Sequence, residues 1–379
     1  MKANTMKTAL LRIAVASLAI GVVAKPARSD NSPHHATLRG VMSPMRNMTI
    51  DDFDTLEEWG VTLVRYQMTR QFMRRGYGEG GKEGYDKWLS GKIDHLLNFV
   101  IPECRRRGMK VVVDLHDAPG GRMTDCLDWA LYYDQGKLDH FFDCWRMIAS
   151  RVKGNEDVVY GYDLMNEPVQ TREPTTMDYW DVQAEAAKIV REIDPKTAIV
   201  IESNGWDSPR RFPELKPLPM DNVIYQAHMY GPTEYCLQGT GGREQDVAWH
   251  WPDPEKGWTR DLLRDILKDV REFEQKYDAK IYIGEFSVAA WATGGENWLR
   301  DVIAVFDEYG WDWTYHAFRE WNPWSVEHEG GPDDKKMVRS ADNPRKRALL
   351  KGLKGETPID SAIQLSEERP SAATKSCRE

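Results

Sequence analysis

The chain has 379 residues, of which 41% are hydrophobic and 29% charged, and this composition excludes disordered and collagen-like chains. It carries 51 basic and 60 acidic residues, a formal net charge of −9, which argues against a general nucleic-acid or anionic-membrane binder because both need a basic face. The 15 tryptophans are many for one soluble chain, and such rings belong either in a packed core or in a cleft where sugars stack.

Residues 1–24 have the layout of a secretory signal. Lys2, Lys7 and Arg12 precede an apolar run from Ile13 to Ala24, which is too short to span a membrane. The alternative, a membrane anchor, is disfavoured because no charge-free run reaches roughly 18 residues. We therefore predict a signal peptide (1–24), a disordered lead-in (25–35) and a secreted or periplasmic protein. Cleavage would remove three positive charges and change the net charge from −9 to −12.

Eight short apolar runs are predicted strands, and amphipathic helical stretches such as Gly84–Arg107 and Trp258–Tyr277 separate them. Strands that alternate with helices indicate a parallel sheet, and eight such units indicate a single (β/α)8 TIM barrel rather than an open sheet. The predicted strands are Thr37–Met42, Thr62–Gln67, Lys110–His116, Val158–Met165, Ala198–Glu202, Asn222–His228, Lys280–Glu285 and Trp311–Phe318.

The pattern is weakest between the fifth and sixth strands, where four prolines between residues 208 and 221 exclude a long regular helix. No linker or repeat divides the chain, so we expect one barrel domain over residues 36–354, acting as a monomer. Residues 355–379 are polar and lack a periodic apolar face, which is typical of a flexible tail.

Cysteine and motif patterns give no sign of a metal or a cofactor. No Cys-x-x-Cys, His-Glu-x-x-His or Walker loop occurs, so we predict that the protein binds no metal and no cofactor. Gly76–Gly81 has the letters of a dinucleotide fingerprint, but it follows the second strand at a distance and holds an acid where a pyrophosphate would bind. An exported protein can form disulfides, and the sequence leaves open whether the five cysteines are buried thiols or form one or two bridges: Cys104, Cys126, Cys144, Cys236 and Cys377.

Polar side chains follow six of the eight predicted strands. The functional groups of a parallel barrel lie at the carboxyl ends of its strands, so we expect these side chains to share one rim. They are Arg65, His116, Asn166 with Glu167, Asn204 with Trp206, His228 with Tyr230, and Glu285.

Two glutamates at this rim point to a chemistry. Glu167 follows a buried strand and precedes Pro168, and Glu285 ends another buried strand. A lone buried carboxylate is costly, whereas two glutamates on different strands suit glycosidic bond cleavage, which needs one acid for the leaving oxygen and one nucleophile. Alternatively, each glutamate could have a structural role, either at the start of a helix or as the ion-pair partner of a nearby arginine.

These residues resemble the signature set of family 5 glycoside hydrolases, the cellulase-like (β/α)8 enzymes with catalytic glutamates on strands four and seven. The resemblance rests on Arg65, His116, Asn166-Glu167-Pro168, His228-Met-Tyr230 and Gly284-Glu285-Phe286. It implies that Glu167 is the general acid/base and Glu285 the nucleophile. It also implies that Asn166 binds the sugar 2-hydroxyl, that Arg65 and Tyr230 keep Glu285 ionised, and that His116 and His228 line the reactive subsite.

The sequence departs from the family pattern at strand eight, where the family usually places a tryptophan beneath the reactive sugar. Either His316 or Trp321 fills that position, and we favour Trp321. Trp291 and Trp206 are further stacking candidates. Trp249, Trp251 and Trp258 lie in a long loop after strand six, where a cleft wall is more plausible than burial.

We therefore expect a secreted, retaining hydrolase that cleaves a β-linked glucan without a cofactor, and no nucleic-acid or membrane partner after signal cleavage. The same chemistry on mannan, xylan, β-1,3-glucan or a glycoside with a lipid aglycone is the nearest alternative. A non-catalytic carbohydrate-binding barrel is the alternative from another class, and the ionisable rim residues argue against it.

Overall fold

The computed structural model describes residues 37–70, 75–244, 246, 248–332 and 337–357. The predicted signal peptide, the lead-in, Cys377 and all but the first residues of the predicted tail lie outside the described residues. Within them, parallel strands β1 to β8 close a barrel in chain order, with β1 paired to both β2 and β8. Their bounds are β1 Arg39–Met42, β2 Leu63–Gln67, β3 Lys110–Asp114, β4 Val159–Asp163, β5 Ile199–Glu202, β6 Val223–Met229, β7 Lys280–Phe286 and β8 Asp312–Tyr315.

Helices surround the barrel and connect its strands. A small antiparallel pair, β9 His328–Glu329 and β10 Val338–Arg339, follows the barrel. The helices are α1 Ile50–Trp59, α2 Gly81–His95, α3 Ile101–Arg107, α4 Gln135–Val152, α5 Tyr179–Ile193, α6 Asn204–Asp207, α7 Thr233–Cys236, α8 Arg260–Ile266, α9 Lys268–Tyr277, α10 Gly295–Tyr309 and α11 Pro344–Leu353.

The (β/α)8 prediction is confirmed. Six of the predicted strands contain the observed strand, and β6 and β7 each run one residue further than predicted, to Met229 and Phe286. The predicted helix over 84–107 is also present: α2 continues through a π-helical turn, Leu96–Val100, into α3. Between β5 and β6 the prolines leave only α6 and a 3-10 helix, Pro209–Glu214, as predicted.

Helix α5 illustrates how the local sequence builds this layer. Asp178 caps its start by accepting hydrogen bonds from the backbone N–H groups of Trp180 and Asp181 at 2.9 and 2.8 Å. Val182, Ala186 and Val190 recur at helical spacing and are fully buried against the barrel. Burial of this stripe holds the helix over the strands that carry the site.

The barrel interior has an apolar floor and a polar layer above it. Leu63, Val112, Val200, Ile224 and Tyr282 form the floor as one buried cluster. Because side chains on a strand alternate between its two faces, the residues two positions further along point into the same interior. Four of those residues form the buried polar layer, Arg65, Asp114, Glu202 and Gln226, and the fifth is Gly284.

A β-bulge in β7 changes which residue faces the interior. Ala227 pairs with Ile283 but His228 pairs with Glu285, so Gly284 is the extra residue. A Cβ at Gly284 would lie 2.3 Å from the side chain of Gln226, which explains why glycine is required there. The bulge shifts the alternation by one residue and turns Glu285 into the barrel.

Four cysteines fall among the described residues, and all are free thiols: Cys104, Cys144 and Cys236 are buried and Cys126 is half-buried. Burial raises the pKa of the Cys104 thiol to about 12. None of the described helices has the length and apolar character needed to span a membrane.

Candidate active site

Arg65 lies at the centre of the polar layer and is fully buried. Its Nη1 donates to Glu285 Oε1 at 2.6 Å, and its Nη2 lies 2.9, 3.1 and 3.3 Å from oxygens of Asp163, Glu202 and Asp114. Burial alone would lower the pKa of Arg65, but these carboxylates raise it well above its usual value. One guanidinium therefore compensates charge contributed by four different strands.

Glu285, predicted from the sequence as the nucleophile, lies among donors. Besides Arg65, Tyr230 Oη donates to its Oε2 at 2.7 Å, and His316 Nδ1 lies 3.0 Å from the same oxygen. Burial alone would raise the pKa of Glu285, but His228, His316 and Arg65 lower it well below its usual range. Burial raises the pKa of Tyr230, so its phenol stays protonated and can donate. The environment keeps Glu285 ionised.

Glu167 is held through its main chain. Its φ of 49° is left-handed, a conformation that costs energy for a residue with a side chain. The backbone N–H donates to Glu202 Oε2 at 2.6 Å, and the carbonyl oxygen accepts from Arg122 Nη2 at 3.2 Å. Two buried side chains thus hold the strained residue in place, and its carboxyl meets His228.

His228 connects the two glutamates. Its Nδ1 lies 3.2 Å from Glu167 Oε1 and 3.7 Å from Glu285 Oε2. One oxygen of each glutamate and this nitrogen all lie within 4.8 Å of one another. Burial alone would lower the pKa of His228, but the charge of Glu285 and the hydrogen bond to Glu167 raise it.

His116 and Asn166 form the wall beside Arg65. Asp114 Oδ2 lies 2.9 Å from His116 Nδ1, and although burial opposes the charged imidazole, this carboxylate raises the pKa of His116. Asn166 Oδ1 accepts from Arg65 at 2.9 Å and its Nδ2 lies 3.3 Å from His116 Nε2. The structure therefore brings together seven of the residues predicted from the strand ends: Arg65, His116, Asn166, Glu167, His228, Tyr230 and Glu285.

Sequence reasoning missed Glu202 and Asp207, which are fully buried beneath His228. Each has an oxygen 3.9 Å from His228 Nε2. Burial raises the pKa of Glu202 well above its usual value and that of Asp207 to about 8. Glu202 had the same signal as Glu285, an acid that ends a buried strand, whereas Asp207 ends the short helix α6 in the proline-rich connection and had none.

At strand eight, His316 contacts the site directly. It lies next to Glu285, and its Nε2 lies 3.1 Å from Glu320 Oε2. Gln67 Nε2 donates to the same Glu320 oxygen at 2.7 Å. The sequence raised His316 only as an alternative to Trp321, and Glu320 drew no attention because it falls in an irregular segment.

The tryptophan that contacts this group is Trp324. Its ring centroid lies 5.3 Å from that of Tyr230 and 4.9 Å from that of His316. Trp321, the residue favoured from the sequence, is half-buried and packs edge-on against Trp324 with centroids 4.8 Å apart. A tryptophan that sequence reasoning did not consider thus lies between Trp321 and the polar group.

Trp206 is connected to Glu167 through Arg122, which contacts the Trp206 ring and the Glu167 carbonyl oxygen. Arg122 is stacked between Trp129 and Trp206, with its guanidinium carbon 3.9 and 4.7 Å from the two ring centroids. Trp206 also lines a cavity of about 530 Å³ together with Gln170, Asn204, Arg210 and other residues that follow β4 and β5. The lining of the cavity begins at Val169, two residues after Glu167.

The predicted cleft wall of loop tryptophans is wrong for two of its three members. Trp251 and Trp258 are 2% and 7% exposed, and Trp251 Nε1 donates to Asp301 at 2.9 Å. Trp249 packs edge-on against Trp258, and Trp291 donates to the backbone of Gln238 at 3.0 Å. The loop folds back onto α10 and makes a small core of its own, which the sequence periodicity does not reveal.

The arrangement suits acid–base and nucleophilic chemistry. Glu167, His228 and Glu285 could offer three ligand atoms to a metal, but Arg65 and His316 face Glu285 with positive charge, which disfavours a cation there. The same charges favour an ionised carboxylate that can attack an electrophilic carbon, next to a second carboxyl that can exchange a proton.

Comparisons with known proteins agree with this chemistry. A family model described as Cellulase (glycosyl hydrolase family 5) matches residues 26–321. Endoglucanase C of Acetivibrio thermocellus is 28% identical over 300 residues, which are 71% of this chain and 84% of that protein. Cellodextrinase A of Ruminococcus flavefaciens is 21% identical over 275 residues, which are 72% of this chain and 78% of that protein.

Solved structures share the fold. A structure of Thermotoga maritima Cel5A in complex with cellobiose has a TM-score of 0.64 at 21% identity and covers 84% of this chain and 98% of that chain. The Clostridioides difficile cellulose synthase subunit Z (CcsZ) has a TM-score of 0.61 at 20% identity, covering 84% of this chain and 99% of that chain. At this identity the likeness shows the barrel alone.

Proposed function

Because the chain belongs to glycosyl hydrolase family 5 and is a glycoside hydrolase, we propose that it cleaves a β-glucan with retention of anomeric configuration, using Glu285 as nucleophile and Glu167 as acid/base. The observation that carries this proposal is the pair of glutamates with oxygens within 4.8 Å of one another, one of them held ionised. Retaining enzymes place their carboxyl groups about 5 Å apart, whereas inverting enzymes leave about 6.5–9.5 Å for a water molecule.

In the first step, Glu285 attacks the anomeric carbon while Glu167 protonates the departing glycosidic oxygen. The bond from the sugar to the leaving group breaks, and a covalent ester to Glu285 forms. Arg65 Nη1 on Oε1 and Tyr230 Oη on Oε2 orient the attacking carboxylate. The carboxyl of Glu167 must reach the leaving oxygen from a fixed position. The hydrogen bonds that Glu202 and Arg122 make to its main chain hold it there.

In the second step, Glu167 acts as a base. It takes a proton from water, which attacks the anomeric carbon from the side that the leaving group vacated and releases Glu285. His228, between the two glutamates, would stabilise whichever of them carries charge at each stage. Asn166, held by Arg65, is placed to bind the sugar 2-hydroxyl, and His116 borders the same subsite.

The substrate proposal draws on the relatives. Two similar proteins are named as an endoglucanase and a cellodextrinase. Trp206 and its cavity lie in the segments that follow β4 and β5, and we place the leaving-group sugar there. Trp324 packs against Tyr230, the partner of Glu285. Trp321 packs against Trp324.

From the sequence we further propose that residues 1–24 form a cleaved signal and that the enzyme acts outside the cytoplasm. We also propose that it works as one barrel domain without a partner protein. N-terminal sequencing of the exported protein tests the cleavage.

The assignment of the two glutamates is tested by Glu285→Ala and Glu167→Ala with added azide. Each variant should lose several orders of magnitude in activity on soluble β-glucan while it stays folded. Azide should restore turnover of an activated aryl glycoside and give the α-glycosyl azide with Glu285→Ala and the β-glycosyl azide with Glu167→Ala.

Glu173→Ala is the matched control, because Glu173 is exposed and lies six residues after Glu167. It should keep wild-type activity. Near-normal turnover by either glutamate variant would remove that residue from the mechanism, and a panel of β-1,4-glucan, β-1,3-glucan, mannan and xylan identifies the sugar. Binding of these glycans without release of reducing ends by the wild type would favour a non-catalytic barrel instead.

A further inference from the structure

His316 bridges two carboxylates inside the site. Its Nδ1 lies 3.0 Å from Glu285 Oε2, its Nε2 lies 3.1 Å from Glu320 Oε2, and its side chain is 8% exposed. A neutral imidazole carries one N–H and can donate to only one of these oxygens, whereas an imidazolium donates to both. The geometry therefore favours the charged form of His316.

The ring is fixed from several directions. Glu320 is 10% exposed at its side chain and is itself held by Gln67 Nε2 at 2.7 Å. Tyr230 Oη lies 2.7 Å from His316 Nδ1, and the Trp324 ring packs edge-on against the imidazole. A side chain held by this many partners is placed in one rotamer, with little freedom to leave Glu285.

We propose that His316, oriented by Glu320, is a positioning residue that supplies a hydrogen bond and a positive charge to Glu285. This inference rests on the proposed function, in which Glu285 is the nucleophile. Arg65 also contacts Glu285, but its charge is shared with three other carboxylates. His316 has only one further carboxylate among its described contacts, Glu320, so more of its charge acts on Glu285 than a cation shared among four carboxylates provides.

Several charged groups face this pair from the surrounding strands. Arg65 on β2 and His228 on β6 act on Glu285, and His116 after β3 acts on Glu320. Burial alone would lower the pKa of His316, but Glu320 and Glu285 raise it to about 10. The imidazolium therefore persists through neutral pH. A nucleophile must be ionised, so loss of this cation would raise the pKa of Glu285 and move the acidic limb of activity to higher pH.

Two substitutions separate the hydrogen bond from the charge. His316→Asn keeps an N–H donor near the Nδ1 position without a charge, and His316→Ala removes both. In both variants the acidic limb of the pH profile of kcat/KM should move to higher pH by about one unit or more. The Asn variant should retain a higher kcat at the pH optimum than the Ala variant. His250→Gln is the control, because His250 is exposed and lies in the loop after β6.

A measurement without substrate keeps this proposal separate from the proposed function. Carbon-13 NMR of protein labelled at the Glu carboxyl carbons, with Glu285 assigned from the Glu285→Gln spectrum, should show the same upward shift in the titration of Glu285. If the wild type cleaves no glycan, the proposed function fails, and this titration still decides the role of His316.

Glu320→Gln provides a second variant in case the His316 variants do not fold. This variant keeps the imidazole and removes one of its two counter-charges, so the imidazolium of His316 is less stable. The acidic limb and the titration of Glu285 should therefore move to higher pH, by less than in the His316 variants. An unchanged acidic limb and an unchanged Glu285 titration in folded variants would overturn the proposal.

Discussion

Arg65 Nη1 lies 2.6 Å from Glu285 Oε1, and this contact joins the second and seventh strands across the interior of the barrel. The same guanidinium meets Asp114, Asp163 and Glu202, so the site and the barrel share one buried cation. Removing one partner from a buried ion group leaves uncompensated charge, which is far more costly than losing a pair at the surface.

Arg65→Met should therefore lower the free energy of unfolding by about 3–5 kcal/mol and abolish most activity. Arg105→Met is the matched control, because Arg105 makes an exposed double contact with Asp157. The control should cost less than about 1 kcal/mol. Urea unfolding of both variants provides the comparison, and equal losses of stability would contradict the role of Arg65 as shared counter-charge.

Asp207 gives the protein a pH-dependent stability. Its pKa is raised by burial to about 8, above its ordinary value, so the folded protein holds a proton that the unfolded chain releases. Stability from this group is therefore fully present at acidic pH and is lost as pH rises toward 8. Asp207→Asn removes the ionisation, and its unfolding temperature relative to the wild type should rise steadily between pH 5 and pH 8.

The exposed Asp221→Asn serves as the comparison for Asp207 and should follow the wild type at every pH. A difference between Asp207→Asn and the wild type that stays constant with pH would show that Asp207 does not hold a proton in the folded state.

The bulge at Gly284 makes a prediction about activity. An alanine there places its Cβ 2.3 Å from the side chain of Gln226, which must shift together with the strand that aims Glu285. We expect Gly284→Ala to lose at least about 100-fold in kcat, because misplacement by about 1 Å is that costly. Gly91→Ala, in an open position on α2, should retain activity and gain about 0.4–1 kcal/mol of stability.

Trp206 should act on substrate binding. Trp206→Ala removes a wall of the cavity in the segments that follow β4 and β5 and one face of the stack around Arg122. An exposed stacking platform contributes about 1 kcal/mol, so KM should rise by about 5- to 10-fold with a smaller change in kcat. Trp249→Ala, outside this cavity, is the control. A Trp206 variant that loses kcat with an unchanged KM would place this ring in the chemistry or in folding instead.

The strand ends predicted most of the site, because a parallel barrel brings the carboxyl ends of all its strands to one rim. Glu167 follows β4 and Glu285 lies in β7, 118 residues further along the chain, yet each could be identified as an acid at the end of a buried apolar run. Strict alternation of side chains along β7 would point Glu285 out of the barrel. The bulge at Gly284 turns it into the interior. A bulge depends on pairing with the neighbouring strand, which the local sequence does not encode.

The loops were much harder to predict. The segment after β6 has many glycines and no periodicity, so Trp251 and Trp258 were predicted to be exposed. Both rings are buried: Trp251 contacts the distant Asp301, and Trp258 packs against Tyr235. Glu320 and Trp324 were missed for the same reason: they lie in an irregular stretch after β8, and only the folded chain shows that they meet His316.

The most direct test of the account is proton NMR of the first product released from a soluble β-glucan. Two inversions at the anomeric carbon, the first by Glu285 and the second by water, return the product to the β configuration. The spectrum recorded before mutarotation should therefore show the β-anomer signal first, with the α-anomer growing in later. Initial release of the α-anomer would contradict the assignment of Glu285 as nucleophile and, with it, the central claim.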